Sequence, residues 1–156
     1  MTNFAHRTSR VVDQTPAIVH DRVLELAARL RDEAPPIEPG TQAATLLGVS
    51  GPLGIEVADR GPGRIEARTT QGRVRGSAAA DIAPASGGGT NLAFSVLVEP
   101  KGMAANLMLG VAFGARPNLR QEIVDGLERG FTDLAHELEK PDGEWDASAW
   151  QPPGLP

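Results

Sequence analysis

Residues 117–140, PNLRQEIVDGLERGFTDLAHELEK, carry the pattern that decides the fold. Apolar side chains recur there at steps of three and four residues, which predicts one amphipathic helix over Pro117–Lys140. The stripe consists of Leu119, Ile123, Val124, Leu127, Phe131, Leu134, Ala135 and Leu138. Asn118 and Gln121 fit a capping box at the start, and Pro141 ends the pattern. A stripe of this length needs a broad apolar partner surface.

Two glycines lie one turn apart at the margin of this stripe, Gly126 and Gly130. Each costs about 1 kcal/mol relative to alanine inside a helix. Their presence predicts a close approach at this position, either by the backbone of a strand or by a bound ligand.

The partner surface is predicted to be a β-sheet. From Gln42 to Pro100 the apolar period changes to two, and tight turns separate short runs. Five strands are expected there, centred on residues 45–49, 55–57, 65–69, 74–82 and 92–98. Upstream, Phe4–Val12 is interpreted as a strand, and Thr15 with Pro16 begins a helix that ends at Pro35. The order predicts an α+β fold in which an antiparallel sheet covers the C-terminal helix.

Two segments leave alternatives open. Met103–Gly114 alternates as a strand would, but it is apolar nearly all round as a helix, and we favour a helical or irregular lead into Pro117–Lys140. Residues 141–156 hold four prolines and both tryptophans. They are predicted to form a disordered tail after a domain at 1–140, or alternatively to fold Trp145 and Trp150 back on an apolar patch.

Composition excludes several classes of protein. With 156 residues, 40% apolar residues and no cysteine, one soluble domain without disulfides is expected. A net charge of −5 argues against nucleic-acid binding. The start lacks the apolar core of a signal peptide, which predicts a cytoplasmic protein. His6, His20 and His136 do not share a metal-ligand spacing, so neither a metal nor a cofactor is predicted.

Four short motifs give the chain a resemblance to a known superfamily. They are Thr15–Val19 at a helix start, Gly40-Thr41 before a strand, the glycine-rich turn Ala83–Thr90, and Glu99–Gly102 before the last helices. Their order resembles the helix-grip superfamily of START lipid-transfer domains, birch-pollen-allergen-like proteins and polyketide cyclases. The branch it resembles most contains polyketide cyclases/dehydrases and carbon-monoxide-dehydrogenase accessory proteins. The chain departs from that pattern in its long first helix and in His20, where an aromatic residue is common.

The resemblance implies a curved sheet gripping the long helix around a cavity for an apolar ligand. Small residues at the sheet positions facing the helix agree with a cavity, although they also suit tight packing. The predicted ligand-binding residues are Ala67, Gly76, Ala78, Ala80, Phe94, Val96, Arg120, Leu127 and Phe131. Arg120 is included because it falls within the apolar sector of the helix, although such an arginine commonly reaches solvent.

Three functions follow from this interpretation. The first is a binding or carrier protein for a small hydrophobic molecule such as a lipid, quinone or polyketide-like compound. The alternatives are a protein-interaction module without a true pocket and a polyketide cyclase or dehydratase; no catalytic residue is assigned. Met103–Phe113 is also a candidate for transient membrane contact, and a homodimer is left open.

Overall fold

The computed structural model describes residues 3–33, 36–41, 44 and 48–150. Five strands form one antiparallel sheet in the order β1-β5-β4-β3-β2. The strands are β1 (Phe4–Val12), β2 (Ile55–Asp59), β3 (Arg64–Thr69), β4 (Val74–Pro84) and β5 (Thr90–Pro100). The helices are α1 (Pro16–Glu33), α2 (Met103–Ala115) and α3 (Leu119–Leu138), and a single 3₁₀ turn spans Asp142–Glu144. The curved sheet with its long last helix confirms the predicted α+β helix-grip fold.

The sheet follows the predicted alternation, with one difference. Of the five strands expected between Gln42 and Pro100, the described residues form four, and β1 completes the sheet by pairing with β5. Of the strand expected at 45–49, residues 45–47 lie outside the described part of the chain, and Val49 is not in a strand. The β4–β5 hairpin turns at Gly88 and Gly89, which both have positive φ. A Cβ on Gly89 would lie 2.6 Å from the Val12 carbonyl oxygen, so this turn requires glycine.

The predicted helices form, but the predicted capping box does not. Asn118 precedes α3 without a side-chain capping hydrogen bond, and the side chain of Gln121 donates instead to Asp125 at 2.8 Å. The Asn118 carbonyl accepts the Glu122 N–H at 2.9 Å, so the backbone alone starts the helix. Met103–Ala115 is helical, as favoured, and it ends just before Pro117.

Helices α1 and α3 cover one face of the sheet, which we call the inner face. α3 lies chiefly over β1, whereas α1 lies over β2, β3 and β4. The largest buried side chains are Val12, Val19, Leu92 and Leu138. They come from β1, α1, β5 and α3, so the core lies between the sheet and both helices.

The last described residues pack on the domain. Trp145 and Trp150 lie against the core, and the Trp150 indole donates to the Gly130 carbonyl at 3.0 Å. Residues 141–150 therefore follow the second predicted alternative, in which Trp145 and Trp150 fold back on an apolar patch. Residues 151–156 lie outside the described part of the chain. The predicted close approach of a strand backbone at Gly126 is wrong, because no described residue lies within 4 Å of a Cβ built there; the alternative of a bound ligand stays a prediction. Gly130 is buried, and its carbonyl oxygen accepts the hydrogen bond from the Trp150 indole.

Candidate functional site

The strand register arranges the inner face in rows that run across the sheet. His6 is paired with Val96, Val96 with Ala78, Ala78 with Ala67, and Ala67 with Val57. Residues directly opposite in antiparallel strands point to the same face. We call this set of five side chains, one from each strand, the central row: His6, Val96, Ala78, Ala67 and Val57.

The central row belongs to the part of the inner face that the helices leave partly open, together with Gly76, Phe94 and Val98. Each of its five residues is half-buried. In the next row, Ala80 and Ile65 are buried, with 2% and 3% of their surface exposed. The difference arises because α1 and the second half of α3 converge on Ala80 and Ile65, whereas small side chains in the central row fill less of the space above the sheet.

The nine predicted ligand-binding residues fall into three groups. Ala67, Gly76, Ala78, Phe94 and Val96 lie on the inner face and are half-buried, as is Leu127 on α3. Ala80 and Phe131 belong to the closed core instead, where the ring of Phe131 meets Phe94 edge-on with centroids 4.6 Å apart. Arg120 is exposed in the first turn of α3: its guanidinium lies 4.2 Å from the centroid of the Phe113 ring and donates to the Asn3 carbonyl at 2.9 Å.

A polar cluster borders the central row where α3 crosses β1. Glu128 of α3 accepts hydrogen bonds from three inner-face residues of β1: His6 Nε2 at 2.6 Å, Thr8 Oγ1 at 3.3 Å and Arg10 Nη2 at 2.5 Å. Arg10 also donates to Thr8 Oγ1 at 2.8 Å and stacks 5.4 Å from the centroid of Phe131. We call His6, Thr8, Arg10 and Glu128 the Glu128 cluster.

Electrostatics keep the carboxylate of this cluster ionised. The hydrogen bond from Arg10, and then that from His6, hold the pKa of Glu128 below the usual 4.5 against the opposing effect of burial. The cluster therefore presents a negative charge, compensated by Arg10, beside an otherwise apolar row.

Of the four residues in the Glu128 cluster, none was among the predicted ligand-binding residues. The sequence does contain one indication of this cluster. The inner-face positions of β1 are Phe4, His6, Thr8, Arg10 and Val12, so three polar side chains occupy positions where a covered strand normally has apolar ones. Glu128 likewise lies between Val124 and Phe131 of the α3 stripe. What the sequence did not show is that the two polar interruptions meet, because they are about 120 residues apart in the chain.

A second histidine–carboxylate pair lies at the opposite edge of the sheet. His20 Nε2 of α1 is 3.3 Å from Asp59 Oδ2 at the end of β2, and its buried Nδ1 has no hydrogen-bond partner among the described residues. The hydrogen bond from His20 lowers the pKa of Asp59. Since β1 and β2 are the two edge strands, His20 and His6 do not form one site.

A groove of about 710 Å³ has a lining that combines charged side chains of the other face of the sheet with Val57, Ala67 and Ala78 of the central row. Its arginines from β3 and the β2–β3 turn are already paired: Arg64 with Glu66 and Asp81, Arg60 with Glu66, and Arg68 with Glu56. These exposed ion pairs make the outer face charged, which leaves the inner face as the apolar candidate site.

Helix α2 presents an apolar stripe to solvent. Met103, Leu107 and Val111 follow one another at steps of four residues and are 88%, 69% and 63% exposed. The opposite side of the helix buries Ala105 and Leu109. Within the described residues, no helix combines the length and the hydrophobicity that crossing a bilayer requires.

Comparisons with known proteins agree with this fold. Neither protein-family models nor curated proteins match the sequence. Among solved structures, the chain is similar to the di-domain ARO/CYC BexL from the BE-7585A biosynthetic pathway (TM-score 0.53, 16% identity, 88% of this chain and 49% of that one). It is also similar to the di-domain ARO/CYC StfQ from the steffimycin pathway (TM-score 0.54, 12% identity, 94% and 52%).

The chain thus spans about half the length of each di-domain protein. A third similar structure is protein CV1439 from Chromobacterium violaceum, with a TM-score of 0.53, 16% identity, and coverage of 88% of this chain and 99% of that one. At 12–16% identity, the similarity to these three solved structures concerns the fold alone. The chain has a helix-grip fold similar to that of the two ARO/CYC proteins.

Proposed function

We propose that the protein binds or carries a small hydrophobic molecule on the central row, between the sheet and α3. The observation that carries this proposal is that all five residues of the central row are half-buried while the neighbouring Ala80 and Ile65 are buried. Apolar side chains at the base, with a few polar groups at one end, are the usual composition of a small-molecule site. The fold is one that polyketide cyclases also use, which agrees with such a site.

The test is titration with a fluorescent fatty-acid or quinone analogue. Wild type is expected to bind, and Ala78→Phe, which fills the middle of the central row, is expected to lose binding while remaining folded by circular dichroism. Ala93→Phe is the matched control, because it places the same side chain on the outer face of β5. A wild type without affinity for apolar probes, or an Ala78→Phe variant that binds as well as wild type, contradicts the proposal and favours a protein-interaction module.

A cyclase-type reaction at the same place is the second candidate. It is favoured by the His6–Glu128 contact of 2.6 Å, which holds an imidazole beside a carboxylate at the end of the row. Incubation with a linear polyketone analogue distinguishes the two. Product formation by wild type that is lost in His6→Gln supports an enzyme, whereas binding without conversion supports a carrier.

We also propose that the α2 stripe contacts an anionic membrane during ligand loading. Residues 103–115 contain no charged side chain, and the exposed Lys101 and Arg120 lie beyond the two ends of the helix. This arrangement places an apolar surface between cations, which complements anionic lipid.

Vesicle co-sedimentation tests the membrane contact. Wild type is expected to sediment with phosphatidylglycerol-containing vesicles and Met103→Ser/Leu107→Ser to remain in solution. Val11→Ser serves as the control, because Val11 is 63% exposed on the outer face of β1. Equal sedimentation of the double variant and wild type contradicts this role of α2.

A further inference from the structure

The tautomer of His6 follows from its partner. Glu128 Oε1 lies 2.6 Å from His6 Nε2, and the carboxylate also accepts from Arg10 and Thr8. An ionised carboxylate carries no hydrogen and can only accept. In the neutral imidazole, the hydrogen is therefore on Nε2, and the lone pair is on Nδ1.

Nδ1 is an unused acceptor in the Glu128 cluster. Arg10 directs its hydrogen bonds to Glu128, Thr8 and the Ser9 carbonyl, and none of these reaches His6. Among the residues that the structure describes, none makes a hydrogen bond to His6 Nδ1, and 20% of the His6 side chain is exposed. A ligand in contact with His6 thus meets one nitrogen that can accept a hydrogen bond.

The position of His6 makes this nitrogen relevant to a ligand on the central row. His6 is at the β1 end of the row, with Val96 as its direct neighbour and Ala78 one strand further. Adjacent strands are about 4.8 Å apart, so Ala78 lies roughly 10 Å across the sheet from His6. An apolar body resting on Val96, Ala78 and Ala67 can therefore present a polar substituent to His6.

The charge of Glu128 selects the kind of substituent. A ligand carboxylate beside His6 would also lie close to the ionised Glu128 and would meet a like charge, because Arg10 is already the counter-ion of Glu128. A hydroxyl is neutral and donates one hydrogen, which matches one free acceptor. We propose that His6, positioned by Glu128, binds the hydroxyl group of an apolar, hydroxyl-bearing ligand through Nδ1. This inference rests on the proposed binding function and names the chemistry of that ligand.

Matched aromatic probes test the inference on the full chain. We expect wild type to bind 2-naphthol about tenfold more tightly than 2-methylnaphthalene, which has the same shape without the donor. His6→Leu is expected to bind both probes equally. His136→Leu, which changes an exposed histidine of α3, is the matched control and should keep the tenfold preference.

The outcomes separate this inference from the proposed function. Equal wild-type affinities for the two probes overturn the hydroxyl contact and leave the apolar site standing; no affinity for either probe overturns both. A preference for 2-naphthol that survives in His6→Leu, or tighter binding of 2-naphthoate than of 2-naphthol, also overturns the contact.

A second measurement does not depend on variants. The chain has three histidines, so their ring nitrogens can be resolved by ¹⁵N NMR of the wild-type protein. We expect His6 to carry its hydrogen on Nε2 and its Nδ1 resonance to move when 2-naphthol is added, while the resonances of His20 and His136 stay in place. A hydrogen on Nδ1, or an Nδ1 resonance that 2-naphthol does not move, overturns the inference.

Discussion

The indole of Trp150 donates a hydrogen bond to the Gly130 carbonyl at 3.0 Å, which ties the end of the described chain to the middle of α3. Trp145 adds a second attachment, because its indole donates to Glu25 of α1 at 3.0 Å. Both tryptophans also pack on the core. Removal of this segment therefore exposes apolar surface on both helices.

Truncation after Lys140 is expected to destabilise the protein by about 3–5 kcal/mol, the range for removing a large aromatic side chain from a core. Urea denaturation of the full and truncated chains measures the difference. Ser148→Ala, which changes an exposed residue of the same segment, serves as a control. An unchanged midpoint for the truncated chain would show that the tryptophans contribute nothing to stability.

The two glycines of α3 should respond to substitution in opposite directions. No described atom lies within 4 Å of a Cβ built on Gly126, so alanine fits there without a clash. Gly126→Ala is therefore expected to stabilise the protein by about 0.5–1 kcal/mol, because alanine has the higher helix propensity. Gly130 is buried beneath Trp150, so Gly130→Leu is expected to cost about 1–3 kcal/mol through overpacking. Thermal denaturation of both variants checks the pair, and the same sign of change in both would refute the assignment of the two faces.

Arg22 is a buried cation that caps α3 from α1. Its guanidinium donates to the carbonyls of Leu138 at 2.9 Å and Lys140 at 2.6 Å and to Asp142 at 2.9 Å, with 4% of the residue exposed. Arg22→Met keeps the apolar stem but leaves those carbonyls without their donor, which should cost about 2–4 kcal/mol. Arg129→Met on the exposed side of α3 is the control and should change stability by less than about 0.5 kcal/mol. Comparable losses in the two variants would contradict the capping role.

The Glu128 cluster predicts part of the acid sensitivity of the fold. The pKa of Glu128 is lowered in the folded state, so its stabilising contribution is complete above the unfolded value of about 4.5 and is lost as the pH falls through the lowered folded value. Glu128→Gln removes this contribution. The Tm difference between wild type and Glu128→Gln should be largest near neutral pH and should shrink below about pH 4.5. A difference that is constant across this range would falsify the assignment.

The spacing of apolar residues predicted most of the fold, because it shows which side of each helix or strand packs against the rest of the protein. The alternation through Phe94 and Val96 and the stripe through Leu127 and Leu134 both correspond to the inner-face packing of the structure. The capping box at Asn118 was wrong because a cap depends on backbone geometry: φ is −92° and ψ is 0° at this residue, and the side chain makes no cap.

The site was predicted less completely, since it depends on which distant residues meet. Ala67, Ala78 and Val96 were expected on the helix-facing side, and the register places them in one row. Ala80 differs from Ala78 only in lying beneath the crossing helices, which the alternation of β4 does not encode. The same applies to Glu128, whose partners on β1 are set by the angle at which α3 crosses the sheet.

The pairing of β1 with β5 has a consequence for the order in which the chain acquires structure. Phe4 pairs with Val98, so during synthesis β1 meets its partner β5 only after nearly a hundred further residues have emerged. Polar side chains at His6, Thr8 and Arg10 make the waiting strand less apolar and so less prone to pair with other nascent chains. Glu128 emerges later still, so the contact between β1 and α3 joins residues that are distant in the sequence, and contacts of this kind slow folding.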